Sequence, residues 1–215
     1  MQIETVQRWD RRLDGLILGG IGLQLTAAPW LFGAWEMWWF WIFATGWALI
    51  AFLFGLRLMA CGVLGTRHLR SPRPFRMLFL AYAGFLGYAF IRMLQADVRI
   101  DAERSFLLHL TAGCVAVPIL FGFSARQMRW LAGLLAINLI ALGAYGVANH
   151  FWTGNARVLW MPGYAQYQQG HARATGSYYC PDHFAGILEI GLAFSLAVGL
   201  ARGTPRALKA IGLPL

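Results

Sequence analysis

Six long apolar runs cover most of this chain and leave only short polar segments between them. A helix that crosses the hydrocarbon core of a bilayer needs about 20 mostly apolar residues. Runs of that kind occur at Leu13–Phe32, Trp38–Leu56, Met77–Leu94, Phe106–Phe123, Trp130–His150 and Phe184–Leu200. Soluble domains carry roughly 25% charged residues, whereas this chain is 13% charged and 59% hydrophobic. The sequence therefore predicts an integral membrane protein.

The runs favour helices over the strands of a transmembrane barrel. Barrel strands are about ten residues long and alternate between apolar and polar residues. The runs here are longer, do not alternate, and are rich in Leu, Ala and Gly. We expect an all-α, polytopic fold with about six transmembrane helices, which form a single helical domain over residues 1–215.

The distribution of Lys and Arg predicts the orientation of these helices. Cytoplasmic connections of membrane proteins are enriched in both residues. Thirteen of the 18 precede the first run, follow the sixth, or lie between runs two and three or four and five. The N-terminus is then cytoplasmic, and the loop at residues 151–182 lies on the other side. This topology accounts for the net charge of +9 without nucleic acid as a partner.

The outer loop at residues 151–182 is the longest connection between the runs. Loops of this length are usually functional or disordered, and its Tyr and Trp residues argue against disorder. We expect Pro181 to begin the sixth helix, since its missing N–H costs nothing there, and Asp182 to lie in the first turn, where a carboxylate suits the helix dipole. Glu189, further along an apolar run, needs a partner or a wet cavity. Arg173 is a candidate partner.

A motif crosses from this loop into the sixth run. It comprises Arg173-Ala174-Thr175-Gly176-Ser177-Tyr178-Tyr179, then Pro181, then His183-Phe184-Ala185-Gly186. The pattern resembles R-x-[ST]-G-[ST]-[FY] followed by P-[ND]-x-[FL]-A, which opens a membrane helix in the O-antigen ligase and polymerase family. The resemblance covers the motif and the topology of about the first half of such a protein. Where that family usually has Asn-Pro-Asn, this chain has Cys180-Pro181-Asp182.

The resemblance implies an activity. Proteins of that family transfer a glycan from undecaprenyl diphosphate to a lipid A core or another glycan acceptor. They act at the periplasmic face of the bacterial inner membrane, without a metal or other cofactor, and invert the anomeric centre. Arg173 is then expected to recognise the diphosphate, because a guanidinium binds phosphate oxygens in a bidentate manner. His171, Asp182 and His183 are further candidates for substrate binding.

The resemblance also implies that the catalytic base lies outside this sequence. In that family a His in a large periplasmic loop of the second half takes the proton of the acceptor hydroxyl, and no such loop occurs here. The apolar residues 210–215 read like the start of a further run. We therefore expect the chain to be the N-terminal part of a larger protein, with its base beyond Leu215.

Simpler interpretations of the same residues stay open. Arg173 could anchor the loop to lipid head groups, His171 could be solvated, and Asp182 and His183 could only cap the helix. A metal site that includes Cys180 matches no zinc spacing. A membrane transport or scaffold subunit whose outer loop binds a ligand is the alternative function, and a pore-facing Glu189 would favour it.

Gln24 and Asn138 are amide side chains placed well inside apolar runs. Gln24 lies in the first run and Asn138 in the fifth. Because an amide in hydrocarbon needs a hydrogen-bond partner, we expect each of them to bond across helices.

Overall fold

The computed structural model describes residues 2–31, 37–63, 73–153, 173–178 and 180–200. Helices make up 91% of these residues, and no strand occurs among them, which confirms the all-α prediction. The helices are α1 (Gln2–Ala27), α2 (Met37–Val63), α3 (Arg73–Leu94), α4 (Arg99–Gly122), α5 (Ala125–Thr153) and α6 (Pro181–Leu200). A short 3-10 helix, Ala28–Trp30, follows α1.

Among the described residues, four helices are long and apolar enough to cross a membrane. The segments are Trp39–Ala60, Met77–Leu94, Arg99–Gly122 and Ala125–Trp152, in α2 to α5. This confirms the prediction of a multi-pass α-helical membrane protein that resides in a lipid bilayer. Of the two remaining predicted spans, the sixth lies within α6, whereas the first begins in α1 and continues past its end at Ala27, so the total of six stays a prediction.

The contacts within the chain divide it into two compact units. The first unit comprises Met1–Gln24 and Phe40–Arg129, and the second comprises Leu25–Trp39 and Trp130–Leu215. In the first unit, α1 and α2 each bury a stripe of apolar side chains. Residues three or four apart lie on the same side of a helix, which is the spacing of both stripes. They consist of Leu13, Ile17 and Ile21 in α1, and Phe40, Phe43, Trp47, Ile50 and Phe54 in α2.

Helices α3 and α4 also belong to the first unit and form an antiparallel pair. Phe79 near the start of α3 packs edge to face on Phe121 near the end of α4, with ring centroids 6.0 Å apart. Phe90 and Phe106 meet at the other end of the pair, at 5.6 Å. Between them the Tyr82 hydroxyl donates a hydrogen bond to the main-chain carbonyl of His109. Aromatic contacts therefore hold the two helices together along their length.

Arg57 lies inside α2 and is only 8% exposed, whereas the sequence placed it in the cytoplasmic connection after the second run. Its Nε donates to Asp10 Oδ1 at 3.1 Å, and its Nη1 lies 2.5 Å from Asp14 Oδ1. Nη1 also donates to the carbonyl of Gly122 at 3.3 Å, and Gln127 Nε2 donates to Asp14 Oδ2 at 2.5 Å. We call Asp10, Asp14, Arg57 and Gln127 the Arg57 cluster. These partners compensate the buried guanidinium, so α2 continues past it to Val63.

Helix α4 begins at Arg99, seven residues before the run that predicts it. The charged residues that precede this run, Arg99, Asp101, Glu103 and Arg104, form its first turns. Arg99 Nε donates to Glu103 Oε1 at 2.7 Å, one turn away on an exposed surface. Opposite charges four residues apart stabilise a helix, so the helix extends beyond its apolar part.

Candidate functional site

Residues 173–178 of the predicted outer loop lie in the second unit and make a tight turn. We call these residues the motif loop. The N–H of Tyr178 donates to the carbonyl of Thr175 at 2.9 Å. Gly176, within the turn, has a φ of +55°, a conformation that only glycine adopts at low cost. A side chain at Gly176 would also clash with the ring of Phe184. The glycine of the motif is therefore required by both conformation and space.

The inner side of the motif loop is buried. Ser177 is fully buried and its Oγ donates to the main-chain carbonyl of Pro29 at 2.5 Å. Tyr178 and Phe184 pack together with Leu142 of α5 in one apolar cluster, and the two ring centroids lie 6.3 Å apart. Thr175 is buried as well. The middle of the motif thus fixes the loop against the protein and is not free to contact a ligand.

The segment under the loop is held to α5. Trp30 Nε1 donates to Asn138 Oδ1 at 2.8 Å, and the Trp30 ring packs on Tyr145 with centroids 5.3 Å apart. This bond confirms the prediction that Asn138 makes a hydrogen bond across helices. The same prediction is wrong for Gln24. Its Oε1 is buried without a hydrogen-bond partner in the described part of the chain, and its amide lies against Gly46 of α2.

The outer side of the motif loop carries charge. Arg173 Nη1 donates to Asp182 Oδ1 at 3.0 Å, and the two side chains are 61% and 71% exposed. Helix α6 begins at Pro181, with Asp182 in its first turn, which confirms both predictions about the helix start. The positive end of the helix dipole favours a negative charge here. Arg173 is consequently held at the start of α6, where an anion would also be favoured.

Burial raises the pKa of Tyr178 to about 12. The phenol is therefore protonated and uncharged throughout the physiological pH range. Tyr178 cannot accept the proton of an acceptor hydroxyl in that range. Its contribution is to pack the loop, and the charge of the site comes from Arg173 and Asp182.

Of the two histidines predicted for the site, the structure describes only one. His183 lies in the first turn of α6 with its side chain exposed, whereas His171 falls outside the described residues. In the described part of the chain, no group of three or more His, Cys, Asp or Glu side chains is arranged to hold a metal.

Glu189 does not pair with Arg173 as expected. Arg173 bonds to Asp182 instead, because the loop path brings the arginine to the first turn of α6. Glu189 lies two turns further along, and its side chain is exposed. The transport alternative expects a Glu189 that faces a pore, and the described helices do not enclose this side chain.

Sequence reasoning missed the residues that fix the loop. The burial of Ser177 and Tyr178 depends on a carbonyl and on side chains from segments far along the chain, Pro29 and Leu142. Phe184 was noted only as part of the motif, yet its ring fills the space left by Gly176 and by Gly146 of α5. The nearness of Gly176 to Tyr178 and Phe184 in the sequence was the available signal for this close packing.

The arrangement as a whole is a fixed loop that presents a guanidinium beside a helix N-terminus. A guanidinium with its fork of N–H donors is suited to phosphate and carboxylate oxygens, and the backbone N–H groups at a helix start favour anions. These groups are chemically suited to bind an anion. Comparison of the chain with protein-family models, with curated proteins and with solved structures finds no match.

Proposed function

We propose that this chain binds an undecaprenyl diphosphate-linked glycan and belongs to a glycosyltransferase of the O-antigen ligase type. The protein would transfer the glycan to a lipid A core or to another glycan acceptor at the periplasmic face of a bacterial inner membrane. The observation that carries the proposal is the position of Arg173, which is exposed on a loop fixed by the Ser177–Pro29 hydrogen bond and is paired with Asp182 in the first turn of α6. The resemblance of the surrounding motif supplies the substrate class.

The exposed pair with Asp182 allows Arg173 to exchange partners. Ion pairs between exposed side chains contribute only about 0.2–1 kcal/mol, and both members of this pair are more than half exposed. A diphosphate offers more negative charge and several oxygens to the same guanidinium, so it competes well with one carboxylate. In the absence of donor, Asp182 keeps Arg173 at the start of α6. The related family usually has an amide here, which would hold the arginine less strongly.

The transfer step involves one bond exchange at the anomeric carbon of the donor glycan. The acceptor hydroxyl attacks this carbon, the new glycosidic C–O bond forms, and the C–O bond to the diphosphate breaks with inversion. Undecaprenyl diphosphate leaves with the electron pair, and Arg173 stabilises its negative charge. The hydroxyl proton goes to a general base, which the resemblance assigns to a His beyond Leu215.

The proposed topology has six spans and a cytoplasmic N-terminus. The four membrane-capable helices coincide with four of the six predicted spans, and the excess of Arg and Lys in alternate connections supports the orientation. This topology would bring the motif loop to the periplasmic side, where a lipid-linked glycan is available. It would also keep His183 and Asp182 on the same side as the donor diphosphate.

Substitution of Arg173 tests the proposal. In bacteria that make the intact protein, Arg173→Ala should lower glycan transfer by roughly 10- to 100-fold, as expected for loss of a charged hydrogen bond of about 1.5–3 kcal/mol. Transfer is measured from the glycosylated acceptor on gels and from isolated membranes with lipid-linked donor. Asp182→Asn should retain transfer, because it removes the competing carboxylate and leaves the arginine.

Arg99→Ala is the matched control. Arg99 also forms an exposed ion pair, with Glu103, but lies in α4 outside the motif, so its loss should leave transfer unchanged. Membrane insertion of every variant is verified by its amount in washed membranes. Normal transfer by a well-inserted Arg173→Ala variant would remove Arg173 from the site and the proposal with it.

A further inference from the structure

The first unit contains an apolar groove between α2, α3 and α4. It has a volume of about 370 Å³, and its walls are formed mainly by carbon atoms. Phe54 and Gly55 of α2, Phe79 and Tyr82 of α3, and Gly113 and Val117 of α4 are among its lining residues. None of these residues belongs to the motif loop, so the groove is a feature that the proposed function does not use.

The residues that line the groove lie at similar distances from one end of each of the three helices. Its lining residues fall roughly one to three and a half turns from the end of α2, the start of α3 and the end of α4, which meet at the same end of the bundle. At 5.4 Å per turn this is roughly 6 to 20 Å along the helices, comparable to the thickness of about 15 Å for one leaflet of the hydrocarbon core. The groove therefore follows the depth of a single leaflet.

The groove is continuous with the surface that the spanning helices present to lipid. Leu58, Phe79 and Leu110 line it and are also among the exposed large apolar residues. Next to it, α3 exposes Met77, Leu78 and Leu80. Hydrocarbon is the medium that contacts such a surface in a bilayer, so lipid chains have direct access to the groove.

The size of the groove selects its occupant. An apolar cavity of about 150 Å³ accepts benzene, and by that scale 370 Å³ holds a chain of roughly 15 carbons. One fatty acyl chain matches both this volume and the depth of one leaflet.

We propose that this groove binds one acyl chain of a membrane phospholipid. Gly55 and Gly113 line two of its walls without a side chain, and a Cβ at Gly113 would meet the Tyr82 ring at 3.0 Å, whereas a Cβ at Gly55 would enter open space. Phospholipid is the most abundant source of alkyl chains in a bilayer, and occupancy follows ligand concentration. The bound chain fills the space between α2 and the α3–α4 pair and acts as a structural lipid.

A photoactivatable phospholipid tests the proposal. The intact protein is reconstituted into nanodiscs that contain phosphatidylethanolamine with a diazirine in its acyl chain, and crosslinked peptides are mapped by mass spectrometry. Crosslinks should concentrate at least fivefold on residues 51–58, 79–86 and 110–118 over other lipid-facing residues. Gly55→Phe should abolish this enrichment because the ring occupies the groove.

Gly87→Phe is the matched control for that variant. Gly55 and Gly87 are both helical glycines with open space where a Cβ would lie, but Gly87 does not line the groove, so its variant should keep the enrichment. An even spread of crosslinks over the lipid-facing surface of the unmodified protein would overturn the proposal, whether or not Gly55→Phe folds. Displacement by undecaprenyl phosphate at concentrations where added unlabelled phospholipid has no effect would also overturn it, and would assign the groove to an isoprenoid chain.

Discussion

Gly176 is the residue of the motif that tolerates least change. Its φ of +55° costs a residue with a Cβ roughly 1–2 kcal/mol, and that Cβ would clash with the Phe184 ring. We expect Gly176→Ala to reduce the free energy of unfolding by about 2 kcal/mol or more and to lower glycan transfer, since Arg173 moves with the loop. Denaturant unfolding in detergent and the membrane transfer assay measure the two effects.

Gly143→Ala provides the comparison for this substitution. Gly143 lies in α5, and a Cβ there would meet only Leu188 at 3.7 Å, an ordinary contact. This variant should be neutral or slightly more stable, because alanine favours a helix over glycine. Equal behaviour of the two variants would contradict the role assigned to the turn at Gly176.

The residues of the site differ in how far the sequence predicts them. Pro181 and Asp182 were predicted correctly because a helix start has local requirements, namely a missing N–H and a favourable dipole. Arg173 was a candidate partner for Glu189 and pairs with Asp182 instead, since the choice depends on the path of the loop and not on helical spacing. The burial of Ser177 could not be predicted, because its bond to Pro29 joins residues 148 positions apart.

At the scale of helices, the Arg57 cluster connects α1, α2 and the start of α5. Arg57 compensates two carboxylates that are both largely buried. Removal of one member of a buried ion pair typically costs about 3–5 kcal/mol, because the remaining charge is left without compensation. We expect Arg57→Met to destabilise the protein by that amount, as measured by denaturant unfolding in detergent.

Two further variants separate charge from packing in this prediction. Arg99→Met breaks an exposed pair and should cost no more than about 1 kcal/mol. Addition of Asp10→Asn and Asp14→Asn to Arg57→Met should recover part of the loss, since no uncompensated carboxylate then remains. A loss of the same size for Arg57→Met and Arg99→Met would show that the cluster does not stabilise the fold.

The helices themselves were largely predictable, and their ends were not. Apolar runs located all six helices. A helix that lies in hydrocarbon needs apolar side chains, and these are visible directly in the sequence. Helices α2 and α4 extend into charged sequence that the runs exclude, as Arg57 and Arg99 each find a carboxylate partner. Hydropathy alone predicts that the helix ends at those charged residues. Because the charges are paired, the helix continues past them.

At the scale of the molecule, the number of spans and their orientation decide whether the motif loop can meet a periplasmic donor. Cys180 immediately precedes α6 and is partly exposed, so it reports the side of the loop directly. Asp97 lies in the connection before α4, and Arg126 lies at the start of α5. Both side chains are exposed. In the proposed topology residues 97 and 180 share the periplasmic side, and residue 126 is cytoplasmic.

Labelling of single cysteines with a membrane-impermeant maleimide measures these positions. Each variant keeps one cysteine, the others being replaced by Ser. Reagent added to the periplasmic side should label Cys180 and the Asp97→Cys variant and should spare Arg126→Cys, because a charged reagent does not cross the hydrocarbon core. Labelling of Arg126→Cys without Cys180 would invert the orientation and exclude a periplasmic donor site at the motif loop.

A cysteine at Glu4 determines whether α1 is a span. Glu4 is exposed in the first turns of α1, and three predicted spans separate it from Asp97. If α1 crosses the membrane, Glu4→Cys lies on the cytoplasmic side and should be spared when Asp97→Cys is labelled. If α1 lies along the surface, its exposed cations Arg8, Arg11 and Arg12 face water and both positions should be labelled. Labelling of both Glu4→Cys and Asp97→Cys would mean that only two spans precede Asp97. It would contradict a cytoplasmic N-terminus, even if Cys180 is reached from outside.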